Sequence, residues 1–245
     1  MTDKLFYETT PSCSECSLKN FSVFKDCSED LLNKVFSHKR PENLFKGDFL
    51  IKQDEEFKGV FCIQQGVVKV TRSGKKHKGF ILRFARPGDV IGLDSFINNE
   101  NYSYSARAVD NVCTCFIPAA DFQSILSKDP ALSIGLMKDL CEKINFIEDR
   151  ITSMARKKIR EQFAEMLISL AVKNKKSSEE VVAINYSVKD LANIIGTTKN
   201  YLYKILSDFT DKKLVSIHNR KLVINNFDRL SLVAIGNESA NQIGN

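Results

Sequence analysis

Residues 187–224 constrain this chain more than any other stretch. Ser187 followed three residues later by Asp190 is a helix-start signature, because each side chain can satisfy an orphan backbone N–H. Leu191, Ile194 and Ile195 supply the apolar face of a short helix that Gly196 ends. Thr198 can cap a second helix, in which Leu202, Ile205, Leu206 and Phe209 recur at helical spacing. Two short helices joined by a tight turn containing glycine form the helix-turn-helix plan. Residues 214–224 then read as a hairpin, a wing with Arg220 and Lys221 near its tip. Thr198, Lys199, Asn200, Tyr203 and Lys204, together with Arg220 and Lys221, are the candidate contacts to double-stranded DNA. They bring donors and an aromatic ring to a face that the buried positions leave exposed.

Charge follows the motif. Residues 156–230 hold 15 Lys/Arg against 8 Asp/Glu, a net +7, while the whole chain carries only +6. The basic excess therefore lies entirely in the segment that would neutralise phosphates.

At 245 residues, 43% of them hydrophobic, the chain can bury two separate cores. No apolar run approaches the roughly 18 residues needed to span a bilayer, and none at the N-terminus has signal-peptide character. The expected location is the cytoplasm, where seven cysteines are thiols, metal ligands or redox groups rather than structural disulfides. Residues 173–180 read as a polar loop, and the residues after Gly236 as a frayed tail.

Residues 44–118 are short apolar runs punctuated by glycine, at 49–51, 60–63, 67–70, 80–84, 90–93 and 112–117. Evenly spaced short strands with turn signals indicate an antiparallel barrel or jelly roll. A short helix is expected over 119–128, and Asp129-Pro130 then starts a long one. Along it Met137, Leu140, Ile144, Ile147, Ile151 and Met154 are spaced alternately by 3 and 4, the repeat of a coiled coil. Helix-turn-helix proteins commonly read two half-sites, so this row is the expected seam of a parallel homodimer.

The order of barrel, long helix and winged helix-turn-helix resembles the cyclic-AMP receptor protein/FNR (Crp/Fnr) family of bacterial transcription regulators over about residues 12–228. Lys46-Gly47-Asp48, Gln65-Gly66 and the run from Arg86 to Gly92 carry the resemblance beside the helix-turn-helix spacing. It implies an α+β fold: an N-terminal arm bearing cysteines (1–24), an antiparallel β-roll sensor (25–128), a dimerisation helix (129–156), a winged helix-turn-helix (157–230) and a tail (231–245). It also implies a homodimer that binds a near-palindromic promoter site and contacts RNA polymerase.

Departures from the family limit what is inherited. Cyclic-nucleotide binders of the family carry a Gly-Glu for the ribose and an Arg-Ser for the phosphate. Here Leu93 follows Gly92, and Tyr102 precedes Ser103. A buried phosphate without a cation is costly, so cyclic AMP in the usual pose is not expected. The family's common glutamate and arginine on the second helix correspond to Asn200 and Lys204, so a different DNA target is expected. Ile147 stands where oxygen-switched members carry an aspartate that weakens the dimer, which implies that dimerisation is not the switch.

The cysteines resemble the FNR branch. Cys13 and Cys16 form a C-x-x-C pair, and Cys115 precedes Phe-Ile-Pro at the place of that branch's distal ligand. The third arm cysteine of iron–sulfur members corresponds to Ser22. A [4Fe–4S] cluster needs four ligands, and Cys27 or Cys62 could complete a set with Cys13, Cys16 and Cys115. A zinc or thiol-redox role for the N-terminal pair, or no cofactor at all, stays open beside the cluster, since free cysteines are often small buried hydrophobes. The histidines are scattered and no catalytic motif is present, so an enzyme is not expected. The rival to a DNA-binding regulator is an effector-binding module acting on a protein partner; the local charge of +7 weighs against it.

Overall fold

The protein is described from a computed structural model, which covers residue 16 and residues 22–74, 79–174, 183–184, 187–218 and 221–237. The chain forms two compact units, Met1–Ile144 and Asn145–Asn245.

Among the described residues eight strands build the first unit: β1 (Arg40–Leu44), β2 (Phe49–Ile51), β3 (Gly59–Gln65), β4 (Val68–Arg72), β5 (Phe80–Ala85), β6 (Val90–Ile91), β7 (Ser105–Ala108) and β8 (Val112–Pro118). They form two four-stranded sheets, ordered β1-β8-β3-β6 and β2-β7-β4-β5. The pairings within both are antiparallel, the architecture expected of a β-roll. Alternation along each strand divides the apolar residues between two cores. Phe61 and Ile63 of β3 point into the roll with Val68, Val70, Ile91 and Val112. Val60 of β3 and Ile117 of β8 point the other way. There they meet α1 (Glu29–His38), α3 (Ala119–Leu126) and the start of α4 (Pro130–Arg156) through Leu32, Val35, Phe122, Leu132 and Leu136.

Three of these elements go beyond those expected from sequence. The start of α1 is held by the Ser28 hydroxyl, which accepts from the Leu31 amide at 3.3 Å. The β1 strand contains Pro41 and exposed side chains, tolerable because it lies at the edge of its sheet. The third is β7. The strand expected over 90–93 stops at Ile91, because Gly92 takes φ +88° and turns the chain into α2 (Leu93–Asn98).

The second unit is built around α5 (Ile159–Asn174), α6 (Val188–Ile195) and α7 (Lys199–Asp211). A sheet ordered β10-β11-β9 comprises β9 (Ala183–Ile184), β10 (Val215–His218) and β11 (Lys221–Ile224), and α8 (Phe227–Ala234) packs on α5. Phe163 of α5 and Phe209 of α7 are fully buried and stack with ring centroids 5.6 Å apart. The Arg160 guanidinium covers the same Phe209 ring and pairs with Asp208, so α5 fixes how α7 lies. Neither β9 nor α8 was expected from sequence. The polar loop over 173–180 and the tail after Gly236 lie almost wholly outside the described residues.

Candidate functional site

The two helices of the motif are locked by their caps. The Ser187 hydroxyl accepts from the Asp190 amide at 3.1 Å and donates to the Asp190 carboxylate at 2.9 Å. Gly196 closes α6 in the left-handed conformation (φ +82°), its amide reaching the Ala192 carbonyl at 3.1 Å. The Thr198 hydroxyl then accepts from the Tyr201 amide at 3.2 Å and starts α7. Leu202, Ile205, Leu206 and Phe209 are buried along one side of α7. Thr198, Lys199, Asn200, Tyr203 and Lys204 are all exposed at its N-terminal end. The Lys199 ammonium sits 5.3 Å from the Tyr203 ring centroid, which orders both side chains on that face. Tyr201, 49% exposed, is a further aromatic there that the apolar periodicity did not single out. Its exposure follows from spacing, since it falls between the buried rows.

The wing is present as an antiparallel hairpin in which His218 pairs with Lys221. Arg220 lies outside the described residues, as does the side chain of Lys221.

On α4, five of the six expected seam residues are exposed: Met137, Ile144, Ile147, Ile151 and Met154. Leu140 differs. It is partly buried against the helical core of the first unit, and Cys141 is exposed beside it. Ile134 extends the exposed apolar row toward the N-terminus.

The turn at Gly92 is lined by aromatic side chains. The Gly92 amide donates to the Tyr104 hydroxyl at 3.0 Å. Burial and the nearby Asp94 carboxylate push the Tyr104 phenol well above its ordinary 10.0. The Tyr102 hydroxyl donates to the Gly59 carbonyl at 2.8 Å, and its ring meets Phe57 edge-on at 5.4 Å. Ser103 donates to the Asp94 carboxylate. Aromatic rings and a carboxylate thus stand at this turn, groups that do not themselves pair a buried phosphate.

A second site lies on the outer face of the β3–β8 sheet. Cys16, Ser22, Phe24, Leu32, Val35 and Lys39 line it from the arm and α1; Cys62, Gln64, Cys115 and Ile117 line it from the strands. The space they surround is about 430 Å³, part of it open to solvent. Three thiols from three parts of the sequence therefore face one pocket, and none of them forms a disulfide among the described residues. Cys27 does not join them. It is buried in the helical core, where burial, Asp129 and Asp26 push its thiol up to about 11. Among the described residues no three His, Cys, Asp or Glu side chains converge tightly enough for a single metal ion. A cluster is less demanding in that respect, because its four cysteines attach at separate corners of a cube, and an all-sulfur donor set suits iron–sulfur chemistry. Cys13 lies outside the described residues.

The pocket borders α4 through the arm. Ser22 and Phe24 line it, and Val23 between them packs on Gly135 of α4 so closely that a Cβ at Gly135 would overlap the Val23 carbonyl. Glycine at that position lets the Val23 backbone approach the helix closely.

Two family models match the chain: one described as a cyclic nucleotide-binding domain, over residues 41–129, and one as a Crp-like helix-turn-helix domain, over residues 161–233. The chain is 22% identical to the fumarate and nitrate reduction regulatory protein of Vibrio cholerae over 236 residues, 93% of this chain and 92% of that protein. It is 24% identical over 230 residues to the protein of the same name from Escherichia coli K12, 91% of this chain and 90% of that one. Its fold is similar to that of FixK2 from Bradyrhizobium japonicum, with a TM-score of 0.71 at 19% identity over 80% of this chain and 96% of that one. Among the described residues no helix is long and apolar enough to cross a membrane. A β-roll, a long helix and a capped helix-turn-helix, matched in order by both family models, place this chain in the Crp/Fnr family of DNA-binding transcription regulators.

Proposed function

We propose that this protein regulates transcription as a cytoplasmic homodimer that docks two α7 helices in successive major grooves of a near-palindromic promoter site. The observation that carries the reading is α7 itself. Its apolar side is buried, while Lys199, Asn200, Tyr203 and Lys204 stand exposed at the end that such motifs present to base edges. The exposed apolar row on α4 supports the dimer, since packing against a second copy would remove it from water. RNA polymerase is the further partner that family membership implies at a promoter.

The signal enters at the thiol-lined pocket rather than at the Gly92 turn. A [4Fe–4S] cluster is the group whose donor chemistry matches the pocket, with Cys16 and Cys115 as ligands from the described residues and Cys13 as the other half of the C-x-x-C pair. Such a cluster supplies redox and oxygen-reactive chemistry when bound. Cys16, Cys62 and Cys115 would hold it against the sheet, and the close contact of Val23 with Gly135 links the neighbouring residues Ser22 and Phe24 of the pocket to α4.

Selection of bound duplexes from a random pool tests the proposal. The expected result is a consensus with two-fold symmetry and half-sites about one helical turn apart. A consensus without symmetry contradicts the dimeric reading, and no enrichment contradicts sequence-specific binding altogether.

A further inference from the structure

The arm supplies two cysteines, and Ser22 lines the pocket where a third arm thiol would be expected from the family resemblance. A serine hydroxyl is a harder and less easily ionised donor than a thiol, so a thiolate set must be completed from elsewhere. The antiparallel register sets Cys62 of β3 directly opposite Cys115 of β8. Strand alternation then puts both on the outer face of the sheet, with Val60 and Ile117, while Phe61 and Ile63 face the interior. Both thiols line the pocket that Cys16 enters from the arm. Cys62 is partly exposed, as a donor at a pocket mouth must be before a cluster arrives.

The other thiols are placed for different roles. Cys27 belongs to the helical core. The Cys113 thiol donates to the Gln64 side chain at 3.3 Å and is not among the pocket-lining residues. Cys141 is exposed on α4. Lys39, buried and also lining the pocket, brings a positive charge to a place where several thiolates would gather negative charge.

We infer that Cys62 is a thiolate ligand of the cluster, in place of a third arm cysteine, so that the paired strands supply two ligands, Cys62 and Cys115. This rests on the iron–sulfur reading of the pocket. Its physical consequence is an asymmetric site. Cys62 and Cys115 are held in register by the sheet whether or not a cluster is bound.

The test is anaerobic reconstitution of the full chain with ferrous iron and sulfide, read by iron and sulfide content and by visible absorption. The wild type should take up about four irons per chain. Cys62→Ser should lose them, Cys27→Ala should keep them, and Ser22→Cys combined with Cys62→Ser should regain them. Full iron and sulfide in Cys62→Ser would overturn the assignment of Cys62 and leave the cluster reading intact. A wild type that binds neither iron nor sulfide would overturn both. Should Cys62→Ser unfold, as judged by its thermal melt, alkylation of the reconstituted wild type decides. Cys62 protected until a chelator removes the iron supports the assignment, and Cys62 modified equally fast before and after chelation overturns it.

Discussion

The Arg150 guanidinium on α4 donates to the carbonyl of Ile194, in the last turn of α6. That carbonyl is one of those a helix end leaves without an intrahelical partner; the Gly196 amide serves Ala192 and Asn193 instead. A charged hydrogen bond therefore ties the C-terminal part of the long helix to the first helix of the DNA-binding motif. Burial lowers the guanidinium's pKa from its ordinary 12.5, yet arginine remains charged at neutral pH. Arg150→Met keeps much of the stem and removes the donor. It should cost about 1.5–3 kcal/mol, the usual worth of a hydrogen bond to a charged group. Urea unfolding followed by circular dichroism measures this, and an unchanged midpoint would show that the bond contributes nothing.

The exposed row on α4 predicts how the oligomer breaks. Ile147 is 54% exposed in the single chain and would be covered in a dimer. Ile147→Asp places two carboxylates in one interface, where desolvation makes their repulsion expensive. Sedimentation velocity at micromolar concentration should find the wild type dimeric and the variant monomeric. A monomeric wild type with and without DNA contradicts the assignment.

Cys27 predicts a pH dependence. Its thiol is raised to about 11 in the folded chain from an ordinary 9.0, chiefly by burial and then by Asp129 and Asp26. Below pH 9 both folded and unfolded forms keep the proton, and the stabilisation is fully present. As pH rises from 9 through 11 the unfolded form releases its proton first, so stability falls. Cys27→Val removes this titration and should flatten the decline of the melting temperature over that window. An identical decline in both proteins would show that other groups govern it.

The sequence made the helix-turn-helix legible in detail because its signals are local. Ser187, Gly196 and Thr198 sit where the caps require them, and the buried positions of α7 follow from spacing alone. Most strands of the roll were legible from their apolar runs, but not β7 (SARA), nor β1, whose exposed residues and Pro41 give no such pattern. Leu140 shows the limit of a heptad. Its spacing fits the seam, yet the first unit's core draws it inward and leaves Cys141 exposed beside it. The thiol pocket was legible only in part. C-x-x-C marks Cys16, but that Cys62 faces the pocket and Cys27 the core depends on strand register and helix packing, which are long-range facts.

Asn200 predicts a change of specificity. A carboxamide can pair with both the donor and the acceptor of adenine, whereas alanine can do neither. Asn200→Ala should cost about 1–3 kcal/mol at one base pair per half-site and relax the preference there. Repeating the duplex selection with the variant checks this, and an unaltered consensus would remove Asn200 from the reading residues.

The central claim is that the exposed face of α7 and the wing bind DNA, and its most direct measurement is duplex retention titrated against salt. The full chain, with and without reconstituted cluster, should bind its selected duplex with an affinity that falls log-linearly as salt rises. Each phosphate contact contributes about −0.9 to that slope, so Lys221→Ala or Arg220→Ala should make the slope shallower by about that amount. A protein that retains no duplex at low salt in either state would contradict the account.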